Sequence, residues 1–455
     1  MKIRLASALA ATGSAILLGA CGGSAGSHPA SSSNHTQAPT GSGVSPPQQY
    51  ADCMRAHGIH EFPNPVDGHI TLTPSSGVNP SSSRFQAASK ACAKYGPSAG
   101  GPPGSPAGDT TTTRGSGIPV AATTASWRGY GAWLAHRAAA GQFSGAVLVA
   151  DSHRRLLDGG YGLADRATRT GNTPQTRFCI ASIGKLFTAV AIAQLVQQHK
   201  LSFHAPVGEY LTGLPPAIGE HVTIANLLEM SSGLDNTVLG RRNPPRTLAG
   251  MTALIARERP QFTPGARFLY SNDGYILLGV VIQDVSGETY ASYIRQHVFQ
   301  PAGMTHTGYR VYSPAHVPGM AHGYRLIGSS LQDISDMPQI ANPSGGEYST
   351  TGDLLNFARA LLDHRMLSAA MTRTILAPRI NSPQPGGPPV DEYTFGFSYQ
   401  RLGGVTFIGH NGGTPGYEGQ IDIYPHTGVV VVVLTNQDQT MIPAIQGSEA
   451  ILTGA

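Results

Sequence analysis

Ser182-Ile183-Gly184-Lys185 opens a strongly apolar segment that continues through Leu186-Phe187-Thr188-Ala189-Val190 to about Gln198. Apolar residues at this density and length read as a buried helix. A spacing of i to i+3 places the Ser182 hydroxyl and the Lys185 amine on one face of it. At a helix N-terminus, Ser182 has the positive end of the backbone dipole beside any negative charge that develops on it. A desolvated Lys185 has a lowered pKa, suited to exchanging a proton with the hydroxyl. A Ser182 acting only as an N-cap would not explain a lysine buried in an apolar helix. An S-x-x-K tetrapeptide still recurs by chance about once in a chain of this size, so its reading depends on its surroundings.

Outward from this helix, residues 145–150 read as a strand and residues 156–161 as a strand returning beside it. Residues 125–140 suggest an amphipathic helix with Trp127, Tyr130, Trp133 and Leu134 on one side. Far downstream, residues 420–424 alternate apolar and polar, residues 429–434 form a continuous apolar run, and a terminal helix starts near Met441. Strands at both ends of a ~330-residue region with helix-rich sequence between them predict an α/β fold, a sheet flanked by helices with a helical subdomain inserted.

The 455 residues include 57 Gly and 34 Pro and only 12% are charged, which excludes a coiled coil, a long helical bundle and a collagen-like rod. The net charge of +4 is spread thinly, with no Lys/Arg cluster of five or more, so neither nucleic acid nor an anionic lipid surface is expected as a partner. Lysine is scarce: Lys2, Lys90, Lys94, Lys185 and Lys200 are all there are.

Residues 1–20 read as a secretory signal, with Lys2 and Arg4 ahead of an apolar stretch too short to span a bilayer. It ends Leu18-Gly19-Ala20-Cys21, which resembles a bacterial lipobox and implies a mature chain starting at lipidated Cys21, tethered outside the membrane by that lipid alone. Residues 21–49 are dominated by Ser, Gly, Pro, Ala and Thr and read as a disordered stalk; residues 96–122 read as a similar linker. Between them, residues 50–95 form a small module too short to hold together without a disulfide between Cys53 and Cys92. Neither cysteine sits in a CxxC or Cys/His cluster that would suggest zinc, and no metal is expected anywhere. The module resembles short Cys-containing units of secreted actinobacterial lipoproteins through Cys53-Met54-Arg55, Gly58 and Phe62-Pro63-Asn64-Pro65, and its reading is a spacer or interaction unit. Cys179 reads as a buried small hydrophobe. The G-x-S-x-G matches, at residues 22–26 and 96–100, lie in low-complexity sequence, which leaves an α/β-hydrolase elbow without support.

The S-x-x-K pair gains company at Tyr270-Ser271-Asn272, which follows Pro264-Gly265 and Phe268 and precedes a helix-like segment over residues 275–285. Here the chain resembles the serine β-lactamase and penicillin-binding superfamily, nearest in pattern to class C β-lactamases, D-peptidases and β-lactamase-like esterases. Their S-x-x-K is matched by Ser182 and Lys185 and their Y-x-N by Tyr270 and Asn272. The third motif, K-T-G in the family, has no lysine here; His410-Asn411-Gly412 stands in its place, after a strand-like stretch at 405–408 and before Gly413. Leu227-Leu228-Glu229-Met230-Ser231-Ser232-Gly233-Leu234 and Gly345-Gly346-Glu347-Tyr348-Ser349-Thr350 resemble two further family turns. The resemblance covers residues 126–455.

What the resemblance implies is an antiparallel sheet flanked by helices plus an α-helical subdomain, and covalent catalysis without a cofactor. Ser182 would attack a carbonyl, with Tyr270 as general base and Lys185 relaying the proton. Backbone N–H groups of Ser182 and Gly413 would form the oxyanion hole, and Asn272 would hold a substrate amide. His410 would bind a carboxylate, donate to the carbonyl, or titrate. The expected activity is that of an extracytoplasmic serine hydrolase on a small peptide, amide or ester, of the D-Ala-D-Ala carboxypeptidase, D-aminopeptidase or esterase kind. The alternatives are a catalytically idle cell-wall-peptide binding protein or a weak β-lactamase, the latter weak because a permanent cation is missing from the third motif.

Overall fold

The computed structural model describes residues 46–60, 62, 64, 88, 91–92, 123–309, 315–328, 330–335, 342–382 and 391–454. The lipobox-like Leu18 to Cys21, nearly all of the stalk and the linker lie outside the described residues.

Eight antiparallel strands build the central sheet: β1 (Gly145–Ala150), β2 (Arg155–Tyr161), β3 (Ile380–Asn381), β4 (Glu392–Tyr393), β5 (Ser398–Leu402), β6 (Val405–Thr414), β7 (Tyr417–Tyr424) and β8 (Val429–Thr435). Their spatial order is β3-β4-β5-β6-β7-β8-β1-β2. The sheet joins the two ends of the domain, with β1 lying against β8 from Gly145 opposite Thr435 to Ala150 opposite Val430. Antiparallel strands with one wet face alternate apolar and polar, whereas β8 is Val429-Val430-Val431-Val432-Val433-Leu434-Thr435 and buried throughout. Both of its faces are therefore covered. Val430, Val432 and Leu434 join one core, and Val429, Val431 and Val433 join the other.

The second core lies under α1 (Thr124–Ala139) and a C-terminal helix over Met441–Thr453. Trp127, Tyr130 and Leu134 of α1 meet Met441, Ala444 and Ile445 above Val147 and Val149, and the Tyr130 hydroxyl donates to the Ala444 carbonyl at 2.5 Å. Thr123 caps α1 by accepting from the Ser126 N–H.

The first core lies under the helical insertion, built around α2 (Lys185–Gln197), α3 (Asn272–Ser286) and α4 (Thr351–Leu362). Every residue of α2 from Lys185 to Leu195 is buried, as expected for a helix that is apolar on all sides. Phe187 packs edge-on against Phe299 and Phe357, with ring centroids 5.1 and 5.0 Å apart. The α/β architecture read from the sequence is thus the observed one.

The structure redraws three local boundaries. The apolar helix does not begin at Ser182: a 3₁₀ turn over Ala181–Gly184 precedes α2. The strand ahead of the third motif does not stop at Ile408 but runs through His410-Asn411-Gly412 to Thr414 as β6. A helix over Pro46–Ala56 starts inside the segment read as stalk.

Cys53 and Cys92 form a disulfide with their Cα atoms 5.7 Å apart, beside Ala51, Met54, Ile59, Phe62 and Ala88. One turn along the helix, His57 brings a ring nitrogen within 4.8 Å of both sulfurs, a Cys/His proximity that spacing alone did not reveal. With the sulfurs bonded to one another, neither is a thiolate available to a metal. Among the described residues no helix is long and apolar enough to cross a membrane.

Candidate active site

The 3₁₀ turn at Ala181–Gly184 decides how Ser182 and Lys185 meet. With three residues per turn, side chains at i and i+3 stand one above the other, and the Lys185 Nζ lies 3.0 Å from the Ser182 Oγ. Ala181 ahead of it has φ +44°, a left-handed conformation rare for a residue with a side chain. That reversal swings the turn out of line with the preceding strand, Phe178–Cys179, and presents Ser182 to a cavity of about 620 Å³.

Lys185 makes two further hydrogen bonds, to Asn272 Oδ1 at 2.7 Å and to the Ser344 carbonyl at 2.6 Å. Its side chain is wholly buried, and burial drives its pKa well below the ordinary lysine value, opposed only by the nearby Glu347 charge. A neutral amine has two N–H donors and one lone pair. With Asn272 and Ser344 taking the donors, the lone pair is left for the Ser182 hydroxyl proton.

Asn272 is the first residue of α3, and its neighbour Ser271 caps that helix by accepting from the Gly274 N–H at 3.0 Å. Tyr270 comes with it, placing its ring centre 4.9 Å from the Lys185 Nζ. Burial raises the Tyr270 pKa beyond the ordinary phenol value, only partly offset by Ser182. A phenol so placed keeps its proton at neutral pH. Of the two groups, Lys185 is the one whose pKa burial moves toward neutrality, and Tyr270 the one whose proton burial retains.

His410 lies within β6. Its ring is buried, with Nε2 2.9 Å from the Tyr393 hydroxyl and Nδ1 bonded to the Asn411 carbonyl. Burial, reinforced by the Lys185 charge, drives its pKa down to about 3. Burial of this kind disfavours a charged imidazole as a substitute for the missing third-motif cation. Its residue-level service is to β6, which carries Gly412 and Gly413 past the Ser182 turn.

Glu347 is the group that the sequence reading passed over, having been taken only as part of a turn. It is fully buried, and its carboxylate oxygens have no well-formed hydrogen bond. Burial pushes its pKa up to about 8, against partial offsets from the Glu347 N–H, the Lys185 charge and the Gly346 N–H. A Cβ on Gly184 would sit 2.0 Å from Glu347 Oε2, so the glycine inside S-x-x-K is what lets this carboxyl approach the turn. Each group acts on the other, the carboxylate raising the lysine pKa and the ammonium lowering that of the carboxyl. Removing the carboxylate removes a favourable partner of the ammonium, so Glu347→Gln is expected to lower the Lys185 pKa. The acidic limb of kcat/KM, where Lys185 must lose its proton, should then move to lower pH by on the order of one unit. An unmoved limb in the pH–rate profile would show that Glu347 does not set the lysine's charge.

Gly413, Gly345 and Gly346 line the cavity together with Ser182 and Asn272. Cys179 is buried one strand away and is no part of the cavity lining.

A sequence profile of the family described as Beta-lactamase matches residues 109–453. A penicillin-binding protein of Bacillus subtilis (strain 168) is 29% identical over 321 residues, 66% of this chain and 69% of the relative. Among solved structures, a penicillin-binding protein from Bacillus halodurans is 33% identical with a TM-score of 0.62, covering 70% of this chain and 98% of that one. A D-stereospecific amidohydrolase from Streptomyces is 25% identical with a TM-score of 0.61, covering 73% and 99%.

Proposed function

The chain belongs to the beta-lactamase family and is a serine hydrolase, and from that premise we propose that it cleaves a D-amino-acid amide, a short peptide or a small ester outside the cell membrane. The observation that carries the reading is the Lys185 Nζ, bonded at once to Ser182 Oγ, Asn272 Oδ1 and the Ser344 carbonyl beside an open cavity.

The reaction runs in two halves. Ser182 Oγ bonds to the substrate carbonyl carbon while its proton passes to the Lys185 amine, and the carbonyl oxygen takes up the negative charge. The N–H groups of Ser182 and Gly413 stabilise that oxyanion. As the tetrahedral species collapses, the bond to the leaving amine or alcohol breaks, and the proton reaches the leaving atom from Lys185 by way of the Tyr270 phenol. Water then repeats the sequence in reverse roles, its oxygen bonding to the acyl carbon and its proton returning through Lys185 to free Ser182. Asn272, held by Lys185, faces the same cavity and is suited to orienting a substrate amide.

An intact Ser182–Lys185 bond speaks against an idle binding protein, and the neutral His410 speaks against efficient β-lactam turnover. The signal-like N-terminus supports a lipid anchor at Cys21. The test is a panel of D- and L-alanine amides, a D-Ala-D-Ala peptide, short-chain esters and a chromogenic β-lactam, with fractionation of cells carrying the native chain or Cys21→Ala. Turnover of D-amides or esters, slow or absent β-lactam hydrolysis, and release of Cys21→Ala from membranes are expected. Rapid β-lactam turnover with no amide or ester activity would overturn the substrate reading, and a native chain found wholly in the medium would overturn the anchor.

A further inference from the structure

The cavity in front of Ser182 has an asymmetric wall. Its lining includes Arg241, Arg242 and Arg246 and contains no Asp or Glu. All three arginines are exposed, and none takes part in an ion pair formed among the described residues. In a chain with no lysine after Lys200, three guanidinium groups within six residues of sequence are a local concentration of permanent charge.

The segment bearing them is fixed to the catalytic turn. Asn236 donates from Nδ2 to the Tyr270 carbonyl at 2.9 Å and accepts at Oδ1 from the Asn272 N–H at 2.7 Å. The Val238 N–H donates to Asp273 Oδ2 at 3.1 Å, the Gly240 N–H to the Asn236 carbonyl at 3.0 Å, and the Asp235 N–H to Glu258 Oε2 at 3.2 Å. Thr247 then caps the following helix, Leu248–Ile255. The arginines thus stand on a braced loop rising beside Asn272.

The geometry points to an anion subsite: Arg241, Arg242 and Arg246 bind a carboxylate on the acyl portion of the substrate, so that the preferred substrates are acidic acyl compounds. This rests on the hydrolase reading above and names its substrate class. The missing third-motif cation and the arginines of the lining are then complementary, the positive charge being carried by another stretch of the chain. Guanidinium groups hold their charge through all accessible pH and grip a carboxylate through paired N–H donors. Charged clefts of this kind raise capture of an oppositely charged substrate and lose the advantage as salt rises.

The test compares para-nitrophenyl glutarate with para-nitrophenyl valerate, esters of equal chain length that differ by the terminal carboxylate. Arg241→Gln, Arg242→Gln and Arg246→Gln combined should lower kcat/KM for the glutarate by about tenfold or more, and leave the valerate within about twofold. The corresponding triple lysine variant, which keeps the charge without the paired donors, should recover only part of the glutarate rate. Raising salt from ~0.02 to ~0.5 M should depress the glutarate rate of the native enzyme and not of the glutamine variant. Equal losses on both esters, or none on either, would overturn the subsite. If the native enzyme hydrolyses neither ester, the substrate reading fails on its own, and the subsite is read from calorimetric binding of glutaric acid monoanilide to Ser182→Ala. Salt-sensitive binding lost in the glutamine background supports it, and no binding in either background overturns it.

Discussion

Ser182→Ala is expected to abolish covalent labelling by a fluorophosphonate or fluorescent penicillin probe and to lower kcat by on the order of 10⁵-fold or more, the scale of losing a covalent nucleophile. The fold should survive, because Ser182 faces the cavity and its one resolved side-chain partner, Lys185, keeps Asn272 and the Ser344 carbonyl. The measurement is gel-based labelling beside ester or amide turnover, with circular dichroism and thermal unfolding as controls. Cys179→Ser is the contrasting variant, since that thiol is buried outside the cavity and should leave labelling intact. Labelling that persists in Ser182→Ala and disappears in Cys179→Ser would overturn the nucleophile assignment.

The second large effect is expected at Gly412, which touches no substrate. Strand β6 runs so close to the Ser182 turn that a Cβ on Gly412 would lie 2.1 Å from the Ile180 carbonyl oxygen and 3.0 Å from the Ser182 nitrogen. Both obstacles are backbone, so Gly412→Ala must push the strand away from the turn and separate the two N–H groups proposed for the oxyanion. Loss of one such donor costs about 10²–10³-fold in rate, and that is the expected fall in kcat/KM. Gly413→Ala is the matched control, because a Cβ there meets nothing within 4 Å and the N–H is retained; a change within about threefold is expected. Comparable rates in Gly412→Ala and Gly413→Ala would show that β6 need not approach the turn for catalysis. Gly412 is thus a positioning residue, and a slowed but not abolished probe reaction at unchanged pH dependence is the signature that separates it from Ser182.

Much of this site was legible because its parts are short local patterns. S-x-x-K depends on a spacing of three, and the structure keeps that spacing functional through a 3₁₀ turn as well as it would through an α-helix. Tyr270 and Asn272 were legible through their resemblance to the family's Y-x-N, and the structure starts α3 at that point under a Ser271 cap. The buried strands and helices were equally legible: β8 is an unbroken apolar run, and α2 has no polar face.

What the sequence by itself determined, then, is the α/β architecture, the Ser182–Lys185 pairing and the Cys53–Cys92 bridge, because periodicity, spacing and residue chemistry act over a few neighbours; the meeting of that pair with the Tyr270 turn was legible only through the family resemblance. Only the tertiary structure decided the charge state of the site. His410 reads in sequence as a titratable substitute for a lysine, yet burial beside Tyr393 and Lys185 makes it a neutral strand residue. Glu347 reads as one letter of a turn, yet it is a carboxyl sealed against Gly184 beside the catalytic lysine. Arg241, Arg242 and Arg246 carry no signal in the sequence, yet they line the cavity that Ser182 lines, next to a loop that the Asn236 bonds tie to the Tyr270–Asn272 turn. The physical reason is shared: a pKa and a substrate's charge preference are set by desolvation and by charges distant along the chain, and neither distance nor dielectric is written in local sequence.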